Sequence, residues 1–282
     1  MLKLIVKKED NILKYLNIFE GLGFNKIQAL FRKKEIKVNG KKVNSDFFVK
    51  KGDIIEIFCK ENYFFNIKTV YEDDNIIIVN KPKKLEIITE TKNISLLNLI
   101  NPNFFAVHRL DFNTEGLVLI AKNETSKNEL DIAFKNSNIK KTYITICKNY
   151  PTENQMIFKD YIEKFNNFVK IYANKTINSK IVKTKIECLK KQNGYSLIKV
   201  DLLTGRTHQI RAHLAFHNLF VLGDEKYGNF IENKKLNLKN QILRCYKLEL
   251  TNLGKNLEYL NNKIFEIDFS DISSYFDNLK ES

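Results

Sequence analysis

Three ionisable side chains within four residues, His108, Arg109 and Asp111, open the stretch Val107 to Lys122. Asp111 starts a turn-like Asp-Phe-Asn-Thr-Glu-Gly run, and the apolar residues after it read as a buried strand. A carboxylate on a loop that enters a core strand is held rigidly beside a cleft, where it can serve as a nucleophile or a base. A turn aspartate by itself usually caps its own backbone. Asp111 gains weight from a second dense stretch, Leu203 to Ala215, which carries Arg206, His208, Gln209, Arg211 and His213, and from Gly223-Asp224-Glu225-Lys226-Tyr227-Gly228 beyond it. Taken singly, Arg211 reads as half of a surface ion pair and Tyr143 as a core strand residue. The spacings of His108, His208 and His213 fit no common metal site, so no metal is expected. Asp224 is the other carboxylate in a comparable motif, which makes a glycosidase-type acid pair a weak reading.

The elements that must position these groups follow from patterning. Residues 1–60 read as a small module: a short amphipathic helix over Asn11 to Leu16, then a helix over residues 25–34, capped by Asn25, with Ile27, Leu30 and Phe31 on one face. Ile36 to Val43 is a hairpin signal with an Asn39-Gly40 turn, and Ile54 to Ile57 alternates after Gly52-Asp53. Residues 61–70 read as a linker. A second domain over 71–282 opens with an acidic turn, an apolar strand and a Lys81-Pro82 stop. A helix is expected around 124–136 and strands over Lys140 to Cys147, Lys183 to Leu189, Tyr195 to Leu202 and Gln241 to Leu250. A closing helix is expected over Asp271 to Leu279.

The run 107–122, the run Gly205 to Leu214 with Gly223 to Gly228, and Glu72 to Pro82 together resemble the RluA-type family of RNA pseudouridine synthases. The resemblance is ordered and gap-free within each motif. It implies an α+β catalytic domain, two largely antiparallel sheets meeting at a central cleft, that turns uridine into pseudouridine in RNA without a cofactor. It assigns Asp111 as the catalytic aspartate, Arg211 as its partner arginine, and Tyr143 as the tyrosine that stacks on the target base. His108, Arg109, Lys141, Arg206 and His208 become substrate-binding candidates, with Lys140 and Lys226 nearby. The helix and hairpin of residues 1–60 resemble a small RNA-binding domain known from a ribosomal protein, which makes Arg32 and Lys33, with Lys34 and Lys37, candidates for phosphate contact. Members that carry this module tend to act on large-subunit ribosomal RNA; transfer RNA is the second choice. The chain departs from the family pattern at Lys83 to Ile88, at Glu115 where Ser is common, and at Arg244-Cys245 where His-Ala is common. Glu115 is expected to point away from Asp111.

Composition points to a polyanionic partner, of which nucleic acid is the commonest and an anionic membrane surface the alternative. The 282 residues carry a net charge of +14, and 43% are hydrophobic, including 21 Phe and 12 Tyr, enough for a core. No apolar run reaches the roughly 18–20 residues that span a bilayer, and the first ten residues lack a signal-peptide core. The four cysteines form no paired motif. A reduced, cytoplasmic, monomeric enzyme is expected. A non-catalytic RNA-binding or ribosome-assembly protein is the rival, disfavoured because Asp111, Tyr143 and Arg211 are all present.

Overall fold

The computed structural model describes residues 2–18, 24–58, 67–89 and 95–280. It divides into two compact units, residues 1–67 with 85–104, and residues 68–84 with 105–282.

In the first unit, strands β1 (Leu2–Ile5), β2 (Asp10–Asn11), β3 (Ile36–Val38), β4 (Lys41–Val43), β5 (Phe48–Val49) and β6 (Ile54–Ile57) accompany helices α1 (Ile12–Ile18) and α2 (Phe24–Arg32). Four strands form an antiparallel sheet in the order β1-β6-β3-β4. The hairpin turns on Asn39 and Gly40, both at positive φ (50° and 79°), the backbone that Asn-Gly supplies at least cost. Ile12 and Leu16 from α1, Ile27 and Phe31 from α2, and Ile36 and Ile55 from the sheet are buried together. Each such side chain stabilises by about 1.5–3 kcal/mol relative to exposure. Helix α2 begins at Phe24, one residue before the expected start at Asn25. Most of the expected linker falls outside the described residues. A short helix, α3 (Leu96–Ile100), belongs to this unit and opens with a capping box between Ser95 and Asn98.

The second unit is built on one mostly antiparallel sheet. Its strands are β7 (Lys68–Glu72), β8 (Ile76–Lys81), β9 (Phe105–Ala106), β10 (Glu115–Ala121), β11 (Ile139–Lys148), β12 (Gln155–Lys164), β13 (Val169–Tyr172), β14 (Lys180–Gln192), β15 (Tyr195–Leu202), β16 (Phe220–Val221), β17 (Leu243–Leu250) and β18 (Ile264–Glu266). Strand β7 starts inside the stretch expected to be linker. Helices α4 (Glu124–Lys135), α5 (Gln209–Phe216), α6 (Phe230–Lys235) and α7 (Ser270–Asp277) complete it. The main path runs β13-β12-β14-β15-β11-β17-β10-β8-β7. The expected pair of sheets is therefore a single sheet, because β10 and β17 join the two antiparallel halves through a short parallel pairing, Glu115 with Arg244 and Gly116 with Cys245.

Gly116 makes that seam possible. Its φ is +117°, and a Cβ there would lie 2.2 Å from the Cys245 carbonyl oxygen. Leu117 to Ala121 beyond it are buried, as are Ile76 to Val79 on β8. Among the described residues no helix is long and apolar enough to cross a membrane.

Candidate active site

Asp111 sits on the loop that leads into β10. The loop is closed by the Thr114 amide, which donates to the Asp111 carbonyl (3.0 Å), and Thr114 is held in turn by Gln241 (3.2 Å). Two further ties fix it. His108 Nε2 accepts the Leu119 amide (2.9 Å), pinning the start of the loop to β10. Lys81, fully buried at the end of β8, donates from Nζ to the carbonyls of Pro82 (2.9 Å) and Phe112 (3.3 Å). Burial pulls the Lys81 ammonium down to about 7, against the opposing pull of Asp111 and Glu115.

Helix α5 brings Arg211 to the same point. Its Nη1 donates to Asp111 Oδ2 at 2.9 Å, while Nε and Nη2 grip both oxygens of buried Asp224 at 2.7 and 2.8 Å. The planar guanidinium thus spends one edge on Asp224 and offers a third N–H to Asp111, a division that lysine cannot make. Burial disfavours the charge on Arg211, but the hydrogen bonds and charge of Asp224, with those of Asp111, outweigh it and hold the pKa above the ordinary arginine value. Asp224 also accepts the amides of Lys226 and Tyr227 (2.9 and 3.1 Å), which is why the Gly-Asp-x-x-Tyr-Gly run is compact. His208 occupies a left-handed backbone conformation (φ 51°) just before α5. Its Nδ1 lies 2.9 Å from the Tyr227 hydroxyl and its Nε2 lies 4.0 Å from Asp111 Oδ2. Burial lowers its pKa, with Asp111 acting to raise it, so the imidazole is neutral at pH 7.

Tyr143, on β11, is 4% exposed. Burial pushes its hydroxyl well above the ordinary tyrosine value, with Cys245 and Asp111 adding to the shift, so it stays protonated. Lys141 lies two residues earlier on the same face, its ammonium 5.3 Å from the centre of the Phe134 ring; burial lowers its pKa.

These groups line one cavity of about 640 Å³, a size suited to a nucleotide-sized ligand. Asp111, Tyr143, Arg211, His108, Lys141 and His208 stand on its wall, and Arg109 and Arg206 add exposed guanidinium groups. The loop that presents Arg206 is anchored by Gln209, whose side chain accepts from Thr204 and from the Arg206 amide and donates to the Lys183 carbonyl (2.9, 3.0 and 2.9 Å). Arg32 and Lys33 are exposed at the end of α2 in the first unit. Lys140 is directed to Glu249 (4.0 Å), and Lys226 reaches the Asn167 carbonyl; neither lines the cavity.

Sequence reading undervalued two residues here. Lys81 carried a signal in its Lys-Pro stop but none for burial beside Asp111. Asp224 lay in a quoted motif, yet nothing in its spacing announced the bidentate grip on Arg211. Glu115 pairs with Arg244 (3.1 Å), the residue opposite it across the seam, and with Lys83 (3.7 Å). Arg244 also holds Asp271 at the start of α7 (2.6 Å). The departures at Lys83, Glu115 and Arg244 thus meet in one ion-pair arrangement.

Comparison with known proteins gives matches in sequence and in fold. Residues 75–216 match a family model described as RNA pseudouridylate synthase. An RNA pseudouridine synthase of Mycoplasma capricolum, named as uncharacterized, is 32% identical, with 94% of this chain and 96% of that protein covered. The ribosomal large subunit pseudouridine synthase C of Rickettsia bellii is 35% identical over 72% of this chain and 77% of its own length. Among solved structures, human RNA pseudouridylate synthase domain containing 1 superposes with a TM-score of 0.58 at 21% identity, covering 77% of this chain and 97% of that one, which supports the fold.

Proposed function

The chain belongs to the RluA-type family of RNA pseudouridine synthases, and from that membership we propose that it isomerises uridines of large-subunit ribosomal RNA with Asp111 as nucleophile. The observation that carries the catalytic assignment is the Asp111–Arg211–Asp224 chain beside the cavity, in which a buried arginine gripped by Asp224 donates to one Asp111 carboxylate oxygen and fixes its place.

The reaction breaks the bond from the ribose to N1 of uracil, turns the ring, and joins the ribose to carbon five. The proton leaves carbon five and N1 gains one, so the change is an isomerisation with no redox step and no energy input. Asp111 supplies the carboxylate at the ribose–base junction, Tyr143 the neutral ring face and hydroxyl beside the detached base, and Arg211 the orientation. The target base must leave its stack, at a cost of a few kcal/mol. Arg109, Arg206 and Lys141 offset that cost through phosphate and ribose contacts. In the same reading the first unit binds RNA, with Arg32 and Lys33 on phosphates, and the enzyme acts as a cytoplasmic monomer. The ribosomal assignment is supported by the Rickettsia bellii relative, whose name specifies the large subunit.

Tritium release from unmodified ribosomal RNA labelled at carbon five of uridine tests the proposal. Wild type releases label and Asp111→Asn releases none while still binding RNA. Equal release by the two proteins would remove Asp111 from the mechanism. Release from transfer RNA alone would move the substrate.

A further inference from the structure

On the side of α5 away from the Asp111 pair, two imidazoles four residues apart face one carboxylate. Asp160 Oδ2, on β12, lies 2.9 Å from His213 Nε2 and 2.7 Å from His217 Nε2. The three ligating atoms fall within 4.8 Å of one another, and among the described residues this is the grouping of three His, Cys, Asp or Glu side chains that does so. Asp160 is 7% exposed and His213 is not exposed at all, whereas His217 retains 29% of its side-chain surface. Among the described residues no Lys or Arg comes within 4.0 Å of Asp160; its ion-pair partners are the two histidines. A nearly buried carboxylate is thus served mainly by imidazole donors, an arrangement that a divalent cation would complete.

We propose that Asp160, His213 and His217 form a binding site for a divalent transition-metal ion of the zinc class, separate from the uridine chemistry. Two imidazole nitrogens and one carboxylate oxygen are a ligand set such ions take, and partly exposed His217 leaves the fourth position open to water. Zinc ligands sit about 2.0–2.2 Å from the metal. Tetrahedral placement then needs ligand atoms about 3.3 Å apart, so both contacts to Asp160 Oδ2, now 2.9 and 2.7 Å, must lengthen by about half an ångström.

The surroundings prepare His213 for the change. Its Nδ1 lies 2.8 Å from the Thr184 hydroxyl, which also receives Gln209 Nε2 at 3.1 Å. Without metal, Nε2–H donates to Asp160 and the hydroxyl can donate to Nδ1. With metal on Nε2, the proton sits on Nδ1 and donates to the same hydroxyl, the outer contact that orients metal-bound histidines. Phe158 stacks on His217 with ring centres 3.8 Å apart and shields the pair from one side. Such an ion ties the C-terminal half of α5 to β12. Arg211 lies two residues before His213 on that helix, so the ion stiffens the element that holds Asp111's partner.

Titration of the full-length, tag-free, chelator-treated protein with zinc chloride by calorimetry, and with cobalt chloride by visible absorption, tests the site. One equivalent binds to wild type, cobalt gives a four-coordinate spectrum, and His217→Ala weakens binding at least about 100-fold; Thr184→Val weakens it about tenfold. With free zinc at about 100 times the dissociation constant, the Tm of wild type rises by about 5–10 °C and that of His217→Ala stays put. Absence of saturable binding to wild type overturns the proposal, as does binding that survives His217→Ala, which would place the metal elsewhere. His217 is peripheral enough that its variant folds and decides the matter even if Asp160→Asn does not.

Discussion

At the scale of single residues, the site depends on one guanidinium with three committed N–H groups. Arg211→Lys keeps the charge but can no longer span Asp111 and Asp224, leaving one buried carboxylate without its partner. The expected outcome is a loss of about 100-fold in the rate of tritium release, the usual scale for removing a preorganised charged donor, with RNA affinity little changed. A rate within threefold of wild type would mean that charge alone suffices. Asp111 and Arg211 were legible in the sequence because a run of ionisable groups at a strand entry is unusual and because both fall in long motifs. Asp224 and Lys81 were less legible in their roles. What makes them matter is a partner far along the chain, and spacing within a motif carries no information about that partner.

At the scale of elements, the seam between β10 and β17 has two tests. Gly116→Ala places a methyl group against the Cys245 carbonyl and forces an L side chain to φ +117°. A cost above about 2 kcal/mol follows, read as a large fall in Tm or loss of soluble protein. The Glu115–Arg244 pair asks a finer question. Both side chains are largely buried, 20% and 12% exposed, and they stand opposite each other in register. A double-mutant cycle with Glu115→Ser and Arg244→His should give a coupling energy of about 0.5–1 kcal/mol by urea unfolding, near the upper end for partly exposed pairs. A coupling of zero would make the two substitutions independent. Most strands were readable from apolar patterning, because β8, β10 and β11 are buried runs with clear turn signals. The joining of two expected sheets into one was not readable, since it rests on two residue pairs whose register no local periodicity encodes.

At the scale of the whole molecule, burial of titratable groups sets the response to alkali. Cys245 is pushed by burial up to about 12, Cys147 is pushed higher than its ordinary value by the same cause, and Tyr143 is raised as well. These groups stabilise the fold fully below their unfolded pKa values of 9.0 and 10.0, and that stability is lost as pH rises toward the folded values. Lys81 and Lys141 act in the opposite sense: their lowered pKa values mean that the cost of burying them charged is relieved as pH approaches the unfolded value of 10.5. Above that pH the lysine gain is spent and the loss stands alone. Urea midpoints should therefore fall steeply above pH 10.5, and Cys147→Ala/Cys245→Ala should fall less steeply, by about 1 kcal/mol per pH unit for each thiol removed. Parallel curves for the two proteins would show that the thiols are not responsible. Net charge, by contrast, was readable from composition alone, because it is a sum that needs no knowledge of contacts.

The seam also has a temporal side. Chains are made from the amino end, and β8 and β10 can pair as soon as both have emerged. The strand on the other flank of Asp111 comes much later, since Arg244 lies 129 residues beyond Glu115, and Arg211 lies 100 residues beyond Asp111. Domains fold as units during synthesis, once their last pairing partner is available. A growing chain therefore carries an aspartate with no arginine until α5 has emerged, and a half-sheet with one bare edge until β17 has left the exit tunnel. The contacts that flank Asp111 are therefore made long after the strand it leads into.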